Sequence, residues 1–273
     1  MAAQLVKQKK INWDTKFFEL FPELKAKSNK AYHNLTLLNL LSFRSRLIPY
    51  SYTYRKPVKE QFNGNEAEQR FQFIEWFFRQ KPVSAKNKIN PSNLAFVAAG
   101  LMLEKASGKS YKELVAELGA KLGINFGFGQ PNFCDSSQPW GHNKYLIPES
   151  PGNNYKLDWL LPAGNINVSL PDYTKFIQLQ LLGFLGKSDY LSKEDFNFLH
   201  YGLPEFSVGW FCKTSKTNQI YSYNIGDPGS FLSMVYIFKN SDKAIILFSN
   251  SQTEDTENGL VILLNELKRR YGI

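Results

Sequence analysis

The spacing of hydrophobic and polar positions changes once along this chain, near Pro204. Before it, apolar residues recur at helical intervals. Residues 1–30 read as the end of one helix followed by a short aromatic segment, INWDTKFFELFPELK. In NLTLLNLLSFRSRL the spacing of Leu35, Leu38, Leu41 and Leu47 predicts a helix, with Asn34 or Thr36 as its N-cap. NEAEQRFQFIEWFFRQK opens with acidic residues and ends with basic ones, which suits a helix dipole, and its aromatics form a buried face. From Ser92 the pattern predicts two helices broken at Gly108, the second starting near Ser110. Residues 122–165 are rich in Gly, Pro, Asn and Ser without a period and are expected to form one long loop. Two more helices follow, announced by Ser169-x-x-Asp172 with Pro171 in the first turn and by Ser192-x-x-Asp195.

After Pro204, four runs rich in β-branched and aromatic residues, FSVGWFCKT, QIYSYNIG, FLSMVYIFKN and KAIILFSN, are separated by turn signals that include the one at residues 240–242. They predict an antiparallel meander. ENGLVILLNELKRR then returns to helical spacing. The expected architecture is α+β: one domain over residues 1–273, with a helical lobe of about residues 30–200 and a sheet with a terminal helix from about 201 to 273.

Composition narrows the function classes. Hydrophobic residues make up 43% of the chain and charged ones 21%, which describes a globular protein with a substantial core. Cys134 and Cys212 are too few for a disulfide framework or a Cys-rich metal site. No run approaches the length of a membrane span, and MAAQLVKQKK lacks the apolar stretch of a signal peptide. A cytoplasmic location is the default expectation, an exported one if an N-terminal part is missing. The formal charge of +9 sits in the N-terminal third: residues 1–90 hold 17 Lys and Arg against 7 Asp and Glu, and residues 91–273 hold 16 against 17. These cations are scattered singly, so a solvated basic surface is expected and nucleic acid is not an expected partner.

No phosphate-binding loop, dinucleotide fingerprint, HExxH or GxSxG occurs. His33, His142 and His200 stand apart without neighbouring ligand residues, so neither a metal nor a cofactor is expected. Five segments in order carry a resemblance instead: LTLLNLLSFRSRLIPY, PSNLAFVAAGLMLEKASGKSYKELV, QPWGH, PAGNINVSLPDYTKF and FSVGWF. They resemble the serine β-lactamase and penicillin-binding-protein-like family, in particular its class C β-lactamase and esterase-like branch. The resemblance covers nearly the whole chain. It implies the transpeptidase-like fold, with an antiparallel sheet flanked by helices, and acyl-transfer chemistry. In that chemistry a Ser of S-x-x-K attacks a carbonyl, the Lys and a Tyr of Y-x-N manage the proton, and a strand carrying K-T-G or H-x-G helps build the oxyanion hole.

The departures from the family pattern fall on those catalytic positions. MAAQLVKQKKINWD is similar to the part of the family helix just after S-x-x-K, so the chain is expected to start beyond its would-be nucleophile and to lack the family's N-terminal strands. Ser84-x-x-Asn87 and Ser110-x-x-Glu113 lack the Lys. The Y-x-N match is Pro91-Ser92-Asn93, where Pro91 has no hydroxyl. The H-x-G match is Tyr223-Asn224-Ile225, and Arg46 stands where the family has a turn glycine. The resemblance therefore implies no catalytic residues in this chain. It implies at most a cleft for a small acyl or peptide ligand, lined by Ser92, Asn93, Trp140, Tyr223, Ile225 and Ser230. An active acyl-serine hydrolase represented without its N-terminal part and a basic interaction module are the alternatives. Without the family's N-terminal strands, KAIILFSN is left as an open sheet edge and a route to self-association.

Overall fold

A computed structural model describes residues 1–83, 88–133, 135–152, 155–216, 218–239 and 241–273. Ser84-x-x-Asn87, Cys134 and part of the turn at 240–242 lie outside these. The chain divides into two compact units, Met1–Gly119 with Asn154–Asn165, and Ala120–Asn153 with Ile166–Ile273. Among the described residues no helix is long and apolar enough to cross a membrane.

The first unit is helical. It holds α1 (Ala2–Lys7), α2 (Phe17–Leu20), α3 (Pro22–Lys25), α4 (Leu37–Leu41), α5 (Glu66–Phe78), α6 (Asn93–Ser107), most of α7 (Tyr111–Leu122) and α8 (Tyr155–Trp159). Helix α6 is its centre: Leu94, Ala95, Val97, Ala98, Ala99 and Met102 are all buried, as expected of a helix apolar on every side. It packs against α1, α2, α4 and α5. The aromatic stripe of α5 is core, with Phe73 and Phe77 edge-on to Tyr50 and Phe73 against Trp159. Gly108 closes α6 in the left-handed conformation at φ 71°, as its position in the sequence predicts.

Three expectations are corrected. Thr36 caps α4, but the helix stops at Leu41, because Phe43 at φ 56° and Arg46 at φ 61° take left-handed conformations that no helix continues through. Leu47 is therefore buried from the segment that follows, not from the helix. The stretch 122–165 is not one loop. It contains β1 (Phe126–Phe128), which pairs antiparallel with β2 (Ile166–Val168), and it contains α8. These elements are too short to show a period. The strand expected from Phe206 begins at Phe211.

The second unit holds the β1–β2 pair, α9 (Leu170–Phe184), α10 (Lys193–Tyr201), the four strands β3 (Phe211–Thr214), β4 (Ile220–Gly226), β5 (Leu232–Phe238) and β6 (Lys243–Ser249), and α11 (Glu254–Tyr271). The four strands form one antiparallel meander in the order β3-β4-β5-β6. Side chains of a strand alternate between faces. On one face Leu232, Met234, Phe238, Ile245 and Leu247 close a core with Leu264 of α11. On the other, Ser222 reaches His200 of α10 and Phe248 meets Tyr173 of α9. The sheet is thus a middle layer between helices. Ser169 and Ser192 cap α9 and α10 by accepting from the Asp172 and Asp195 amides, as the sequence predicts. Gly183 sets how closely these helices approach, since a Cβ there would lie 2.2 Å from the Phe196 ring.

Candidate functional site

In the first unit, the residues that the resemblance sets against the family's Y-x-N motif serve the backbone. Ser92 is buried at the N-cap of α6, and its hydroxyl donates to the Ile48 carbonyl at 2.6 Å. Asn93 donates its amide to the Tyr50 carbonyl at 2.8 Å, and Asn90 donates to that of Leu47. Pro91 lies between them, exposed. Three polar side chains over four positions therefore clip the extended segment 47–50 onto the start of α6. Arg46 acts in the same way: its Nε donates to the Val83 carbonyl at 3.1 Å while its own carbonyl accepts from the Val83 amide at 3.0 Å. Its positive φ shows that the backbone here has the geometry for which a turn glycine is suited, with an arginine in its place.

Deeper in this unit, Arg70 and Glu104 form a buried ion pair at 2.8 Å. Glu104 Oε1 also accepts from the Tyr111 amide at 2.7 Å. Burial, together with the Glu104 charge, pushes the Tyr111 phenol well above its ordinary range, with Arg70 opposing. That phenol donates to the Pro162 carbonyl. The group is a structural anchor without a nucleophile. Ser110 is no nucleophile either: its hydroxyl donates to Glu113 Oε2 at 2.7 Å and accepts from the Glu113 amide, a capping box on the surface.

In the second unit, Tyr223 and Ile225 share the α11 face of β4. The Tyr223 ring is stacked between Phe211, centroids 5.1 Å apart, and Tyr236, 5.7 Å apart, with Lys213 Nζ 5.3 Å from its centre. Ile225 is 44% exposed near the strand end, an apolar side chain at the position that the resemblance sets against the glycine of H-x-G. Asn224 between them donates to the Gly209 carbonyl at 2.8 Å. Ser230 is buried, and its carbonyl accepts from the His142 amide at 3.1 Å. Trp140 is half-buried; its indole donates to the Ser136 carbonyl, and its own carbonyl accepts from the Asn250 side chain. Gly141 permits this docking, since a Cβ there would lie 2.7 Å from Ser230 Oγ and 2.6 Å from the Phe231 ring. The QPWGH segment is thus a loop fastened to the ends of β5 and β6.

The matched segment ahead of α9 has a similar role. Asp172 accepts from the Asn125 amide at 3.1 Å and from Lys175 Nζ at 2.6 Å, and Lys175 also donates to the Gly123 carbonyl. The Lys175 hydrogen bond, with the Asn125 amide behind it, holds the Asp172 carboxyl below its ordinary range. These residues tie the chain after α7 to the first turn of α9.

Sequence reasoning missed the arrangement that most resembles catalytic chemistry. Ser222 Oγ lies 2.7 Å from His200 Nδ1, and His200 Nε2 lies 3.1 Å from Gln180 Oε1. The Gln180 amide nitrogen donates to the Phe176 carbonyl, which turns its oxygen toward the imidazole and assigns the proton to Nε2. Nδ1 then accepts from Ser222, and Ser222 accepts from the Tyr201 phenol at 3.3 Å. This is a Ser–His pair with an orienting third group, yet Ser222 and His200 are both 0% exposed. No substrate carbonyl can reach a hydroxyl so enclosed. Burial lowers the His200 pKa from 6.5 to about 3, so the ring is neutral at physiological pH and is stacked on Trp210 at 4.3 Å. The pair is core structure, brought together by the packing of α10 on the sheet and not by sequence spacing.

The family model described as Beta-lactamase matches residues 1–266. The fold is similar to that of a class C β-lactamase, with a TM-score of 0.71 at 16% identity over 93% of this chain and 76% of the other. It is also similar to FmtA from Staphylococcus aureus, with a TM-score of 0.68 at 20% identity over 92% of this chain and 66% of the other. An octameric penicillin-binding protein homologue from Pyrococcus abyssi gives a TM-score of 0.68 at 16% identity over 92% and 59%. No curated protein has a matching sequence. At such identities the solved structures establish the fold: the expected α+β arrangement of helices around an antiparallel sheet.

Proposed function

Because the chain belongs to the β-lactamase family, we propose that it is a member without acyl-transfer activity of its own, keeping at most a capacity to hold a small acyl or peptide ligand. We read residues 1–273 as one domain of that family. The observation that carries the proposal is the use made of the Y-x-N positions. Pro91 has replaced the proton-carrying phenol, and the donors of Asn90, Ser92 and Asn93 on either side are engaged by the carbonyls of Leu47, Ile48 and Tyr50. No Ser-x-x-Lys occurs among the 273 residues. Loss of a general acid or base alone removes about 10²–10⁴ in rate, and loss of the nucleophile removes the covalent route.

Ser92 and Asn93 in the first unit, and Trp140, Tyr223, Ile225 and Ser230 in the second, are the residues to test for ligand contact. Incubation with a fluorophosphonate and with a fluorescent penicillin, followed by intact mass, should give no adduct; a stoichiometric adduct on any serine overturns the reading. If Ile225 crowds a surface that a carboxylate-bearing ligand would approach, Ile225→Gly with Tyr223→His should tighten β-lactam binding by roughly one to two decades without turnover. Equal affinity by calorimetry, or hydrolysis, would show that β4 does not meet the ligand. Self-association through the β6 edge belongs to the same reading. It is supported by the sheet order and by the octameric state of a protein of similar fold.

A further inference from the structure

Just after QPWGH the chain turns back on itself in a short hairpin within the second unit. His142 bridges antiparallel to Pro148, and the Asn143 amide donates to the Ile147 carbonyl at 3.1 Å. Turns of this size usually carry Gly, Asp, Asn or Ser, which tolerate water and demanding backbone angles. Here the tip is Tyr145, Leu146 and Ile147, which are 70%, 61% and 57% exposed, and Pro148 beside them is exposed too. Among the described residues no other run of three large apolar side chains is more than half exposed throughout. Leu146 also takes the left-handed conformation, at φ 59°, which glycine adopts freely and leucine only at a cost. Folding gains little from this choice of residues, since the three side chains stand mostly in water.

The tip is nevertheless a built structure. The Asn143 side chain accepts from the Tyr145 amide at 2.9 Å and from the Ile147 amide at 3.2 Å, and the Asn143 carbonyl accepts from the Leu146 amide at 2.8 Å. Pro148 has no N–H, so from Tyr145 to Pro148 no main-chain donor is left over. Residues 143–147 alone shape this turn. Its base is fixed by the His142 amide, which donates to the Ser230 and Asn250 carbonyls, and by the Glu149 amide, which donates to that of Gly141.

We propose that this hairpin is a membrane-contact element, which lays Tyr145, Leu146 and Ile147 into the headgroup–acyl boundary of a lipid bilayer. Two features select lipid over a protein partner. Hydrocarbon supplies no acceptors, so a segment that enters it must satisfy its own donors, as this one does. A segment that adds to another protein's sheet keeps main-chain donors free for the partner. The second feature is the flank: Lys144 Nζ lies 5.0 Å from the centre of the Tyr145 ring. A long-stemmed ammonium beside a phenol suits the polar boundary of a bilayer, where both side chains keep an apolar body buried and a polar tip wet. Glu149, half-buried at the base, balances the Lys144 charge, so insertion rests on apolar burial. Such contact is shallow and reversible.

Flotation of the full chain with phosphatidylcholine vesicles, at about 0.5 M salt so that surface charge is screened, is the discriminating measurement. The cations of residues 1–90 have no hold on such a neutral surface. The chain should bind reversibly at millimolar lipid. Leu146→Asp with Ile147→Asp changes only exposed side chains and should lower binding at least tenfold, since burying either one is worth about a decade. Asn143→Ala keeps all three apolar side chains but frees the Tyr145 and Ile147 donors, and should weaken binding severalfold. No binding up to about 5 mM lipid, or binding that these variants leave unchanged, would overturn the proposal. So would binding confined to anionic vesicles and abolished by salt, which would belong to the basic N-terminal third. Lipid-free self-association that the Asp pair abolishes would assign the tip to a second copy and overturn it as well. None of these results bears on the serine labelling, so this proposal and the catalytic reading fail separately.

Discussion

The centre and the edge of one sheet treat their polar groups in opposite ways. At the centre, Ser222 of β4 enters a chain from the Tyr201 phenol through Ser222, His200 and Gln180 to the Phe176 carbonyl, in which each donor has an acceptor. At the edge, β6 has only main-chain groups to offer on its free side, and among the described residues these have no protein partner. The constellation that looks like catalysis is complete in itself and enclosed. The element that looks like plain scaffold is the one whose outer main-chain groups are left without a protein partner among the described residues. Polar chemistry thus signals function through what it leaves unsatisfied, and its composition alone is a poor guide.

The comparison breaks most readily at His200. Replacing it with Ala removes a fully buried ring stacked on Trp210 and strands Ser222 and Gln180 without their partner. Stability should fall by about 3–5 kcal/mol, the sum of a cavity and buried unpaired groups. Ile246→Lys at the edge should change the stability of the isolated monomer by no more than about 1 kcal/mol while altering association. Urea unfolding of both variants at low protein concentration provides the measurement. Similar losses at the two sites would remove the distinction between a satisfied centre and an unsatisfied edge.

Acid sharpens the same contrast. His200 has a folded pKa of about 3 against 6.5 for an ordinary imidazole, so between these values the unfolded chain takes up a proton that the folded one refuses. Stability should therefore fall as pH drops through that window, at up to about 1.4 kcal/mol per pH unit, with no contribution from this group above it. His200→Asn should remove that part of the slope. An unchanged pH profile in the variant would mean that carboxylates such as Asp172, which its Lys175 partner holds deprotonated to lower pH, carry the whole acid response.

Much of the fold was legible in the sequence because its signals are local. The caps at Thr36, Ser169 and Ser192, the stop at Gly108 and the meander after Pro204 all depend on residues within a turn of one another. The end of α4 was not, because the left-handed turns at Phe43 and Arg46 are imposed by hydrogen bonds to Asn90 and Val83, some 40 residues away. The β1–β2 pair failed for the same reason: three residues of strand have no period, and their partner lies beyond a helix. For the candidate site the sequence offered only a resemblance, which singled out Pro91, Tyr223 and Ile225 as departures from the family motifs. What those residues do instead was not legible. The clips from Asn90, Ser92 and Asn93 to residues 47–50, and the Ser222–His200 contact, join positions that only the fold brings together.

The smallest expected effect tests whether polar groups in the first unit follow the rule seen at the sheet centre. Arg46 combines a left-handed backbone, which costs a side-chain-bearing residue about 1 kcal/mol, with an Nε–H bond to the Val83 carbonyl of comparable value. Arg46→Ala keeps the strain and loses the bond, so stability should fall by about 1 kcal/mol. Arg46→Gly loses the same bond but relieves the backbone, partly offset by a freer unfolded chain. The Gly variant should therefore be more stable than the Ala variant by about 0.5–1 kcal/mol, read as a difference in urea midpoints at constant slope. Equal stabilities would show that the backbone at Arg46 is not strained. An Ala variant as stable as the original protein would show that the guanidinium contributes nothing as a clip, and the satisfied-centre rule would not extend beyond the sheet.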